Sequence, residues 1–146
     1  MALDSLGPLE ALTELLKDQD GIKGVYTGVP QYPAAGRLCA YVGLAGQSVS
    51  RPTLRKRLER RANYFVGLVY RVAEAEAKAE QTLAAVLDAL VMAFYADTTL
   101  GGTAADATLD LTLADRPEYA DLVGQEYRTF PVMVTVTQYA TTEETT

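Results

Sequence analysis

A chain of 146 residues, 49% hydrophobic and 22% charged, is long enough for one real core and too apolar for wholesale disorder. Its net charge of −6 is the reverse of the balance a free-standing nucleic-acid binder usually carries. With no histidine and a single cysteine, it excludes Ser-His-Asp and Cys-His catalysis, histidine-ligated zinc, an internal disulfide and a cysteine metal cluster within one subunit.

Residues 1–20 read as a helix, with Pro8 suited to a first-turn position and Leu9, Leu12, Leu15 and Leu16 on one stripe. Asp18, Asp20 and Gly21 mark its end. No basic stretch precedes a hydrophobic one there, so a signal peptide is not expected. No apolar run is expected to approach the ~20 residues that cross a bilayer, and the chain reads as a soluble protein of a reducing cytoplasm. Residues 21–28 enclose Ile22, Val25 and Tyr26, a short strand. Pro30, Pro33 and Gly36 make a turn or irregular loop, and residues 37–44 form a second strand in which Cys39 is a small core residue. Residues 45–53, bearing Gly46, Ser48, Ser50 and Pro52, read as an exposed loop.

Residues 54–72 begin with five of the thirteen basic residues in seven positions: Arg55, Lys56, Arg57, Arg60 and Arg61. Tyr64 to Tyr70 is then apolar at nearly every position, which suits a central strand covered on both faces. Gly67 within it marks a close approach of another backbone, or a bend. From Leu83 the series Leu83, Val86, Leu87, Leu90, Val91 and Phe94 is one helical face. The helix spans about residues 76–97, and residues 79–96 would be roughly 27 Å long. Glu74 and Glu76 favour its start, and Glu74 is placed to pair with Lys78. Burying the six stripe residues contributes on the order of 9–18 kcal/mol as an upper figure.

Asp97-Thr98-Thr99 breaks the helical period, and Gly101-Gly102 lets the chain reverse. Residues 104–114 alternate, with Ala105, Ala107, Leu109, Leu111 and Leu113 against Asp106, Thr108, Asp110 and Thr112: a strand with one wet face. Residues 119–124 hold a helical turn or a loop. The last strand, residues 127–139, sets Phe130, Val132, Val134 and Val136 opposite Met133, Thr135 and Thr137, with Pro131 placing one end at an edge or bulge. The order predicts an α+β fold: a mainly antiparallel sheet with the long helix and the N-terminal helix packed on one face. Residues 1–139 form a single domain and residues 140–146 a frayed polar tail.

Sharp chemical signals are missing. Asp106 and Asp110 on a wet face are explained by solubility, and the glycine spacings of phosphate loops are absent. The basic run admits three readings: a solvated loop, a protein interface, or a phosphate contact, the last disfavoured by the net charge. No catalytic, cofactor-binding or metal-binding residue is assigned.

Four stretches together resemble the tail terminator, or tail-completion, proteins of long-tailed bacteriophages. They are Gly24-Val25-Tyr26-Thr27-Gly28-Val29-Pro30, the strand around Tyr64 to Tyr70, the helix from Glu80 to Ala96, and Asp97-Thr98-Thr99-Leu100-Gly101-Gly102-Thr103 with the alternating strand after it. The resemblance implies a non-enzymatic structural protein of the virion. Six copies would form a ring capping the head-proximal end of the tail tube, stopping polymerisation and offering a surface to neck proteins. DNA would pass through the opening without specific binding. Arg51, Arg55, Lys56, Arg57, Arg60 and Arg61 are then candidates for a subunit or tail-tube interface. The alternatives are another connector or stopper of the neck, and a small α+β ligand-binding domain or enzyme.

Overall fold

Strand β3 (Arg57–Arg71) is the axis of the sheet, because its run of apolar residues has a partner on each side. The computed structural model describes residues 3–28, 37–51, 57–72, 76–122 and 124–141. In chain order the elements are α1 (Leu6–Lys17), β1 (Ile22–Thr27), β2 (Leu38–Ser50), β3, α2 (Glu76–Ala96), β4 (Asp106–Asp110), β5 (Glu118–Leu122) and β6 (Gln125–Thr141). The sheet runs β1-β2-β3-β6-β4, with β5 also pairing β6. Among the described strands only β1 against β2 is parallel; the other four pairings are antiparallel, giving the expected α+β layout with a mixed sheet.

Both helices lie on one face. Leu12 and Leu16 of α1 and Leu83, Val86, Leu90 and Phe94 of α2 share a core with Val42, Tyr64, Val66, Leu68, Val132, Val134 and Val136. The even-numbered residues of β3 and β6 face the helices, and the odd-numbered ones face the opposite side, which no described element covers, so β3 is central as expected but not covered on both faces. Gly67 is where the ring of Tyr41, on that open side, crosses the sheet, so the close approach is by a side chain. A Cβ at Gly21 would likewise run into Val86 and Thr82, which holds the α1–β1 turn against α2.

Several expectations need correction. Residues 45–50 are no loop: β2 continues through Ser50, with Gln47, Ser48, Val49 and Ser50 opposite Ala62, Arg61, Arg60 and Glu59 after a slip in register at 44–47. The partner strand supplies the pairing, while the stretch is exposed at every position and so carries no hydrophobic period to read. Residues 119–124 are largely β5, a short edge strand that turns at Gly124 (φ 74°) into β6. β4 covers only five residues, because the Asp110 carboxylate accepts from both the backbone N–H and the hydroxyl of Thr112 and folds the chain off the sheet. The stripe of α2 is narrower than expected: Val91 is 44% exposed, beside Met92 at 64% and Tyr95 at 82%.

The span from Ala77 to Ala96 is also long and apolar enough to cross a membrane by length and composition alone, at a mean hydropathy of 1.3, against the expectation of no such run. Its buried stripe nonetheless docks it on the sheet. β6 reaches Thr141, two residues into the segment expected to fray. The Pro30–Gly36 loop, Pro52 to Lys56, Glu74 and residues 142–146 lie outside the described residues.

Candidate subunit interface

The basic run is divided by the period of the strand that carries it. Arg57 and Arg61 fall on the open face and Arg60 on the helix face. Arg57 stacks its guanidinium over the Tyr139 ring at 3.7 Å. Arg61 pairs with Glu59 across one strand step, Nε to Oε1 at 3.1 Å, and stays well exposed. Arg51, just past β2, is exposed. Arg55 and Lys56 lie outside the described residues.

Arg60 is withdrawn from any partner. It is buried, and its Nη2 donates to Gln138 Oε1 at 2.6 Å. Gln138, 1% exposed, accepts from the Asp4 N–H with the same oxygen, and its Nε2 donates to the carbonyls of Asp4 and Thr103. Asp4 in turn caps α1 through the N–H groups of Leu6 and Gly7, and the Tyr64 hydroxyl donates to Ser5 O. This network ties the start of α1, the end of the glycine turn, β3 and β6 together. Nothing in the sequence flagged Gln138. The even spacing of Arg60 with Ala62, Tyr64 and Val66 was the available signal that it points inward.

The Asp97–Thr103 stretch proves to be a structural turn. Asp97 Oδ1 accepts from the N–H and hydroxyl of Thr99, and Oδ2 from the Gly101 N–H at 2.8 Å. These bonds, Gly101 first and then Thr99, hold the carboxyl below its usual range. Leu100, Gly101 and Gly102 follow with φ of 47°, 66° and 85°, which places Leu100 in the core at 2% exposure. A second anchor fixes α2 near its start: Glu80 Oε1 accepts from the Tyr70 hydroxyl and from Arg128 Nε at 2.6 Å.

Among the described residues, no group of three or more His, Cys, Asp or Glu could hold a metal ion. Burial pushes the Cys39 thiol up, against a smaller opposing effect of Arg37, which makes it a poor nucleophile. Two adjoining clefts of about 520 and 530 Å³ lie between residues 18–23 and the first half of α2, sharing Asp20, Gly21, Lys78 and Thr82. They bring together no nucleophile and base. What remains prominent is the outer surface: the exposed edges of the sheet and the apolar outer side of α2.

No family model and no curated protein sequence matches the chain. Among solved structures it is similar to the sheath/tube terminator, in its extended state, of an extracellular contractile injection system, PVC. The TM-score is 0.54 at 14% identity, over 96% of this chain and 58% of that one. This chain thus spans little more than half the length of that terminator, and the likeness is one of fold.

Proposed function

We propose that this protein is a structural tail terminator. In this reading copies of the chain close into a ring, six in number, that sits on the end of a tail tube and stops its polymerisation. The observation that carries it is the fold: nearly the whole chain superposes on a protein that is itself a sheath/tube terminator. The four stretches that resemble phage tail-completion proteins point the same way. The chemistry agrees, since the polar clusters are spent on internal bonding and the outer surface is what is left for function. A ring follows from a heterologous contact that closes on itself.

Joining to a head through neck proteins, residence in a virion, and passage of DNA through the opening are the finer parts of the reading. Six copies carry −6 × 6 = −36 formal charges, which favours an opening through which phosphate slides without binding. The open-face cations Arg57 and Arg61 are assigned to acidic groups of the tail tube. The direct test is tube assembly with and without the purified protein, scored by negative-stain imaging. Uniform tubes with density at one end are expected. An unchanged length distribution with bare ends would reject the capping role.

A further inference from the structure

The two lateral edges of the sheet carry opposite charge. Residues 21–56, which supply β1 and β2, contain five basic residues and no acidic one. Residues 97–124, which supply β4 and β5, contain six acidic residues and one basic. Of the described charges, Lys23, Arg37 and Arg51 are exposed on the first edge, and Asp106, Asp110, Asp115 and Asp121 on the second. Exposed apolar side chains accompany both: Tyr26, Leu44 and Val49 on one, Leu113 and Tyr119 on the other.

The edges also meet at one level. β1 ends opposite Val42, so β2 beyond it has no partner on its outer side among the described residues. Leu44 is opposite Tyr64, Tyr64 opposite Val134, and Val134 opposite Leu109. One row therefore crosses β2, β3, β6 and β4 from the free edge to the far edge. Directions alternate along it, so β4 of one copy faces β2 of the next antiparallel and at the same level, while β1 and β5, which share the levels of Arg128 and Thr129, abut each other. The Ala107 N–H already donates to Thr98 O, so the contact uses the side chains along this rim rather than a full ladder.

We propose that copies of this chain join head to tail, the basic β1/β2 edge of one against the acidic β4/β5 edge of the next. A two-fold contact of like edges would oppose like charges, which selects the heterologous arrangement that rings need. This deepens the ring-forming part of the proposed function and does not depend on what the ring caps.

Two variants test it: Lys23→Glu with Arg51→Glu, and Asp106→Lys with Asp121→Lys, all at exposed positions. Each alone should weaken self-association by roughly tenfold or more in sedimentation velocity. An equimolar mixture should restore it, because each variant then offers the edge the other lacks. For weak association, Gly46→Cys and Thr108→Cys are placed in a Cys39→Ser background; a Cβ at Gly46 meets open space. Mixing the two should give a disulfide-linked heterodimer on mild oxidation, with each alone staying monomeric on denaturing gels. Failure of the charge mixture to reassociate, or cross-linking of either cysteine variant with itself at the mixed rate, would overturn the contact. Tube capping is read separately, so loss of that function leaves this result standing.

Discussion

At the scale of single residues, Gln138 decides more than any charged group on the surface. Its amide satisfies the Asp4 backbone, the Thr103 carbonyl and the Arg60 guanidinium, whose Nε has no hydrogen-bond partner. Gln138→Leu keeps the volume and strands a buried cation, so it should cost about 2–4 kcal/mol in urea unfolding. Adding Arg60→Met removes the stranded charge, and the double variant should be more stable than Gln138→Leu alone. If the two losses simply add, the pairing is not what holds the site. Gly67 is decided by sterics instead. A methyl there collides with the Tyr41 ring, and Gly67→Ala should lose about 1–3 kcal/mol, recovered in part by Tyr41→Ala.

At the scale of elements, the turn after α2 works through the charge of Asp97. Its carboxyl titrates below the ordinary value of 3.8 because Gly101 and Thr99 donate to it. A depressed folded value means that the ionised form contributes stability above the unfolded value, and that this is lost as pH falls through the folded one. Asp97→Asn should therefore be less stable than the parent near neutral pH, with the gap closing in acid; a pH-independent gap would assign the effect to geometry. Leu100→Gly relieves a strained φ of 47° but removes a buried side chain. A loss of about 0.5–2 kcal/mol should remain, since burial of about 1.5–3 exceeds the backbone relief of about 1. The helices α1 and α2 were legible in the sequence because each buries one face, and burial writes a period; this turn was legible from Gly101-Gly102, and the middle of β3 from its unbroken apolar run. The distal half of β2 and all of β5 were not, since solvent-exposed strands are held by their partners' backbones. The parallel pairing of β1 is a matter of topology that composition does not record.

At the scale of the whole molecule, the basic run of residues 55–61 resolves into separate roles once β3 is seen as a pleated strand. Arg60 belongs to the interior, so reversing it tests folding rather than recognition. Arg57 and Arg61 remain on the open face, one on Tyr139 and one beside Glu59, free to meet an acidic partner at their outer side. Neither sits on the edges assigned to self-contact, which makes the two surfaces separable by mutation. Arg57→Glu with Arg61→Glu should keep the fold, with at most about 1 kcal/mol lost to the new neighbour of Glu59. Self-association should be unchanged, while attachment to tail tubes should fall by roughly tenfold and lose its dependence on salt. Reversal of the edges should instead abolish ring formation and attachment together, because a tube end presents its symmetry to a ring and not to single copies. Attachment that survives the open-face reversal at every salt concentration would move the tube contact elsewhere, with the apolar outer side of α2, where Met92 and Tyr95 stand exposed, the next surface to change.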